Sequence, residues 1–150
     1  DAIVTGLTKC EWPARLEWLR VANGELLIDA AHNPAGAAAL ASYLQDAGSP
    51  KLPIVFAAMA DKDLHKMIGA LAPVASSFIA TTVPHTRART ADQLAAEIRR
   101  MISVPVESAD SPVAAVSRAL ELSRRAQACG SIYMIGPLRA RLLESGATRM

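Results

Sequence analysis

A chain of 150 residues, 51% of them hydrophobic and 20% charged, has the length of one domain and is too apolar for a disordered tail. Its formal charge of +2 comes from 16 basic and 14 acidic residues that are interspersed, so nothing resembles the basic stripe a phosphate backbone requires, and no nucleic-acid partner is expected. Apolar stretches such as residues 52–60 fall far short of the roughly 20 residues that cross a bilayer, no signal peptide opens the chain, and no membrane partner is expected.

Residues 2–10 carry no clear periodicity and the chain starts at Asp1 without a methionine, which reads as a piece of a longer polypeptide. Cys10 and Cys129 stand alone, with no C-x-x-C and no histidine pair beside them. Zinc and thioredoxin-type sites find no support, and both thiols are read as reduced, cytosolic and structural. Residues 15–21 and 26–30 flank Asn23-Gly24, a pair that favours tight hairpin turns, so an antiparallel strand pair is predicted first. Asn33-Pro34 then offers an N-cap and a proline at the first helical position, and the helix runs through Leu40 and Leu44.

A strand is predicted over 53–59, followed by a helix capped by Asp63 whose Leu64, Met67, Ile68 and Leu71 keep i, i+3, i+4, i+7 spacing. After a strand over 77–82, Thr90 and Gln93 form a capping-box pattern ahead of Leu94, Ile98, Met101 and Ile102. A short strand over 104–107 precedes a helix starting at Ser111-Pro112 and carrying Val113, Val116 and Leu120. The last strand is placed at 131–135, with Gly136-Pro137 opening a final helix that ends near Gly146. Strands separated by helices of this length imply right-handed crossovers, hence a doubly wound α/β domain whose mainly parallel sheet is covered on both faces.

In such a sheet ligands meet the loops after the carboxyl ends of the strands, here 29–34, 60–63, 83–89 and 136–137. The first is the most informative. Asp29 ends a strand, and His32 and Asn33 sit at the mouth of a helix whose free N–H groups favour an anion. Asp29 can accept from ribose hydroxyls and His32 can donate to a phosphate or carboxylate. The alternative is that Asn33 merely caps, while Asp29 and His32 satisfy loop backbone. His65 is read as solvated, and His85 lies in a polar loop. G-x-x-x-x-G-K-[ST], G-x-G-x-x-G and G-x-S-x-G do not occur, so any nucleotide chemistry must be shared with another domain.

The segments LIDAAHNPAGAAAL, WPARLE (12–17) and MADKD (59–63), with RARTADQL (87–94), together resemble the C-terminal domain of folylpolyglutamate synthase and dihydrofolate synthase, members of the Mur ligase superfamily. The resemblance spans residues 12–143. It implies a Rossmann-like domain with an antiparallel N-terminal strand, the whole of 1–150 being the C-terminal domain that closes over an N-terminal ATPase domain outside this chain. It further implies an ATP-dependent ligase that adds glutamate to dihydropteroate or folates through an acyl phosphate, with Mg2+ ligands in the ATPase domain and an isolated C-terminal domain that is inactive. By position, Arg15 and Asp29 would contact ATP, at phosphate and ribose respectively. His32 and Asn33 would face the interdomain cleft, His32 as the catalytic candidate, and Lys62 and Arg87 are candidate substrate contacts. The family commonly follows its last strand with Gly-Ser; with that strand at 132–135 the serine position is Pro137, which has no hydroxyl. Gly130-Ser131 offers the dipeptide earlier, but residues 124–128 do not read as a strand. The other readings are a Mur-type peptidoglycan amino acid ligase domain and a non-catalytic α/β module that binds an anion or a partner.

Overall fold

Each strand-to-helix junction flagged by a capping residue proves to be a turn from the sheet into a covering layer. A computed structural model describes residues 12–150; residues 2–10, and Cys10 with them, lie outside the described residues. In chain order the elements are β1 (Glu17–Val21), β2 (Gly24–Ile28), α1 (Pro34–Asp46), β3 (Leu52–Phe56), α2 (Leu64–Leu71), β4 (Ala75–Ala80), α3 (Ala91–Met101), β5 (Val106–Ser108), α4 (Pro112–Leu122), β6 (Arg125–Cys129), α5 (Ile132–Glu144) and β7 (Thr148–Arg149). The described strands form one sheet in the order β5-β4-β3-β6-β2-β1-β7. The five from β5 to β2 are mutually parallel, and β1 and β7 continue the sheet antiparallel. The expected α/β architecture, with an antiparallel N-terminal strand, is the one observed.

Alternation along the strands divides the core in two. Leu27, Ile54, Phe56 and Phe78 face α1, α2 and α3 through Leu40, Leu44, Met67 and Ile98, while Leu26, Ile28, Val55 and Ile79 face α4 and α5 through Val116, Leu120, Ile135 and Leu138. Phe56 and Phe78 meet edge to face with centroids 6.2 Å apart, the arrangement that suits the ring quadrupoles. The helix starts follow the sequence. Asn33, Asp63 and Ser111 each accept a backbone N–H of the first turn, and Thr90 and Gln93 close a reciprocal capping box.

Two expectations change. The hairpin turn is made by Ala22 and Asn23, since Val21 pairs with Gly24, so Gly24 is the first strand residue. A Cβ there would sit 2.1 Å from the carbonyl oxygen of Arg124; this close approach explains the glycine. More consequentially, the last parallel strand is Arg125–Cys129, and residues 131–135, expected as a strand, lie at the start of α5. Ser131 caps that helix by accepting from the N–H of Tyr133. Gly136-Pro137 does not open the helix but lies within it, where Pro137 can offer no N–H to the turn before it. The Gly-Ser dipeptide that follows the last crossover strand is therefore Gly130-Ser131, not a site lost to Pro137.

Cys129 is fully buried, and burial together with the nearby Asp29 carboxylate pushes its thiol up; an inert structural role follows. Among the described residues no helix is long and apolar enough to cross a membrane.

Candidate active site

Parallel topology brings the ends of β4, β3, β6 and β2, and the beginning of antiparallel β1, to one edge of the sheet. In that order the edge carries Arg87, Lys62, Ser131, His32 with Asp29, and Arg15. Four inter-strand steps of roughly 4.8 Å put the row at about 19 Å, which is long enough for two adjoining subsites.

The first subsite is a cleft of about 160 Å³ lined by His32, Met59, Lys62, Arg87, Gly130, Ser131, Ile132 and Tyr133. It gathers two permanent cations, an imidazole and the N-terminus of a 13-residue helix, an arrangement suited to an anion. Arg87 approaches through the loop after β4, where its carbonyl accepts from the N–H of Ala60 at 2.7 Å. Its guanidinium pairs with Asp61 at 3.2 Å, both side chains being half exposed; such a pair is weak and readily exchanged for a ligand. Arg89, two residues on, plays another part. It donates to the Met59 carbonyl at 2.6 Å and pairs with Glu97, tying the loop to the segment after β3 and to α3.

His32 donates from Nδ1 to the Ala30 carbonyl at 2.8 Å, because a carbonyl can only accept. Its Nε2 is then the ring nitrogen left to the cleft. Asn33 accepts the N–H of Gly36 at 2.8 Å, so its carbonyl oxygen is committed to capping α1 and only its amide NH2 remains for a ligand. His85 accepts the N–H of Arg87 at 3.1 Å and leans on Tyr133 with ring centroids 4.6 Å apart, which supports the Arg87 loop from behind. His65 is exposed on α2, as expected.

The second subsite is a broader depression of about 550 Å³ around Arg15, floored by Trp12, Leu16, Glu17, Trp18, Arg149 and Met150. Asp29, buried, joins the two. Its Oδ1 accepts from Ala31 and its Oδ2 from Leu16, each at 2.8 Å, so it satisfies loop backbone, one of the two alternatives raised for its role. Arg15 is exposed between Ala14 and Leu16, whose φ angles of 59° and 47° are left-handed. Glu17 is buried beside them. It accepts from the N–H of Ala14 at 2.8 Å, from Arg139 at 2.7 and 3.0 Å, and pairs with Arg149 at 2.9 Å. The Arg139 guanidinium, above all, holds the Glu17 carboxyl below the usual glutamate range.

The structure thus brings His32, Lys62 and Arg87 together, sets Arg15 in the neighbouring depression with Asp29 as the link, and leaves Asn33 as a cap. Sequence reasoning missed Ser131, although the Gly130-Ser131 dipeptide was the available signal. It also missed Arg139 and Arg149, which no local pattern connects to Glu17.

Residues 14–130 match the family described as Mur ligase, glutamate ligase domain, a span that holds every candidate except Ser131. A Haloferax volcanii protein described as a probable bifunctional folylpolyglutamate synthase/dihydropteroate synthase is 31% identical over 147 residues, covering 93% of this chain and 17% of its own. A dihydrofolate synthase/folylpolyglutamate synthase of Mycobacterium tuberculosis is 38% identical over 96 residues, 63% of this chain and 20% of that protein. A solved Mycobacterium tuberculosis folylpolyglutamate synthase, complexed with ADP and AMPPCP, is similar with a TM-score of 0.87 and 31% identity over 95% of this chain and 35% of that one. The chain therefore spans about a third or less of the length of these relatives.

Proposed function

Because the chain belongs to the Mur ligase family through its glutamate ligase domain, we propose that it is the C-terminal part of an ATP-dependent ligase that joins glutamate to dihydropteroate or a folate. The observation that carries this reading is the convergence of His32, Lys62, Arg87 and Ser131 on one cleft beside the Arg15 depression. An acidic amino acid placed in the cleft meets Lys62 and Arg87, with the helix dipole of α5 adding to the attraction. A nucleotide placed in the depression meets the Arg15 guanidinium at its phosphates, and the Asp29 carboxylate, tied to Leu16 of the same depression, is assigned to a ribose hydroxyl.

In the reaction a folate carboxylate oxygen bonds to the terminal phosphorus of ATP, the bond from that phosphorus to the bridging oxygen breaks, ADP leaves, and Arg15 offsets the charge that develops there. The glutamate amine then forms the C–N bond, the bond from carbonyl carbon to phosphate oxygen breaks, and inorganic phosphate leaves. A proton passes from the amine to Nε2 of His32. Closure of an N-terminal ATPase portion over this edge keeps water from the acyl phosphate. Mg2+, implied by the resemblance, does not fit the residues described here: among them no three His, Cys, Asp or Glu side chains converge, and its ligands are assigned to the ATPase portion.

The test is glutamate incorporation by the polypeptide that carries both portions. It should form the amide only with ATP, a folate or dihydropteroate, and glutamate, and the 150-residue chain alone should form none. Since a hydrogen bond to a charged group is worth about 1.5–3 kcal/mol, Lys62→Ala and Arg87→Ala should each raise KM for glutamate about tenfold or more and leave KM for ATP in place. Amide formation with a nucleotide-linked peptidoglycan precursor instead of a folate, or an unchanged glutamate KM in both variants, overturns the reading.

A further inference from the structure

The loop that presents Arg15 is held in a conformation that its own residues disfavour. Ala14 and Leu16 both occupy left-handed backbone, at φ 59° and 47°, a region in which a Cβ is crowded. Their amides end on two different buried carboxylates, Ala14 on Glu17 and Leu16 on Asp29, at 2.8 Å each. The Ala14 carbonyl accepts from Ala30 at 2.8 Å and the Arg15 amide donates to Trp12 at 3.2 Å. Every backbone tie thus converges on one outcome, an exposed Arg15 side chain on a fixed stalk.

Glu17 is itself fixed from two directions. Arg139 of α5 grips both carboxylate oxygens and Arg149 of β7 takes Oε1. The helix that carries Arg139 also begins at Ser131 in the first cleft, so one rigid element spans both subsites.

We propose that Glu17, clamped by Arg139 and Arg149, is a positioning residue: it holds the Ala14 amide that precedes Arg15 and thereby aims the Arg15 guanidinium at nucleotide phosphate. The proposal rests on the reading that Arg15 meets those phosphates. Its effect is read at the phosphates, because what Glu17 holds is the Ala14 amide beside Arg15.

The experiment compares ADP and adenosine affinities, by calorimetry and competition, in the polypeptide carrying both portions. Arg15→Ala should weaken ADP by about tenfold or more, the loss expected for a charge-assisted contact, and leave adenosine unchanged. Glu17→Gln should weaken ADP by a comparable factor, again without affecting adenosine. The double variant should bind ADP no more weakly than Arg15→Ala alone, because a misaimed group that is already absent costs nothing further. If Arg15→Ala loses ADP affinity while folded Glu17→Gln keeps it, or if the two losses multiply, the positioning role is overturned and the parent reading stands. If Arg15→Ala changes nothing, the parent reading falls and this proposal falls with it. Should Glu17→Gln not fold, Arg149→Met leaves the Arg139 clamp in place; a several-fold loss confined to ADP supports the proposal, and an unchanged ADP affinity overturns it.

Discussion

The backbone N–H of Leu16 donates to Oδ2 of Asp29 at 2.8 Å, a contact that binds the loop before β1 to the loop after β2 and holds the two subsites at a set distance. The other oxygen of the same carboxylate takes the N–H of Ala31. Asp29 is in this way the fastener of the edge on which it sits.

Removing that carboxylate should therefore be felt in stability before any ligand is added. Asp29→Ala orphans two N–H groups at a buried site, each worth about 1–3 kcal/mol when left unmade, so a loss of about 2–4 kcal/mol in urea unfolding is expected. Asp29→Asn retains one acceptor oxygen and should lose roughly half as much. An alanine variant as stable as the parent would show that the two amides find water instead.

The Glu17 cluster makes a prediction in pH. Its carboxyl is held below the ordinary 4.5 when folded, chiefly by the hydrogen bond from Arg139. A depressed folded value means a contribution that is complete above the unfolded value and is lost as pH falls through the folded one. Breaking a buried pair by removing one partner costs about 3–5 kcal/mol, so Glu17→Gln should be destabilised by about that much near neutrality. The gap between the two proteins should narrow progressively as pH falls below about 4.5. A gap independent of pH in chemical unfolding would mean that the charge of Glu17 is not what matters.

Gln127 offers the opposite case. It is fully buried on β6, and neither its amide oxygen nor its nitrogen has a hydrogen-bond partner among the described residues. Its register partners Leu27 and Ile54 point into the apolar layer beneath α1 to α3. Gln127→Leu or Gln127→Met should raise stability by about 1–3 kcal/mol, the cost of an unsatisfied buried amide. No rise in the urea midpoint of either variant would reveal a buried water bridging the amide.

Gly130 and Gly136 form a matched pair. Gly130 has φ +108°, and a Cβ there would lie 2.3 Å from the Ala57 carbonyl oxygen, whereas a Cβ on Gly136 in α5, its chain neighbours and own helix backbone aside, meets nothing within 4 Å. Gly130→Ala should lower stability by about 2 kcal/mol or more and displace Ser131, raising KM for glutamate. Gly136→Ala should cost much less, because only the ring of the adjoining Pro137 crowds a Cβ there. Equal melting temperatures for the two variants would contradict the backbone assignment at Gly130.

Most of the architecture could be read from punctuation. Asn33-Pro34, Asp63, Thr90 with Gln93, and Ser111-Pro112 each announced a helix because a capping side chain acts on its own next few residues, and such local chemistry survives in any tertiary setting. The strand Arg125–Cys129 escaped because RAQAC holds no β-branched or aromatic residue. It is a strand because β2 and β3 pair with it on either side, and its alanines let α4 and α5 pack closely. The opposite error, a strand at 131–135, came from the β-branched and aromatic residues Ile132, Tyr133 and Ile135, whose preference yields to the Ser131 cap and to burial of Met134 and Ile135 on a helical face. That single inversion also hid Ser131 from the candidate site. Arg139 was invisible for a different reason: it lies 122 residues from Glu17, and only the folded sheet brings them together.

Every helix from α1 to α5 follows directly on one of the parallel strands, so all five begin at the same rim of the molecule. Their positive ends add, and a protein of modest formal charge acquires a pronounced electrical polarity. An anionic molecule diffusing nearby is turned phosphate- or carboxylate-first toward that rim before any side chain touches it. The rate of productive encounter then falls as added salt shortens the reach of the field.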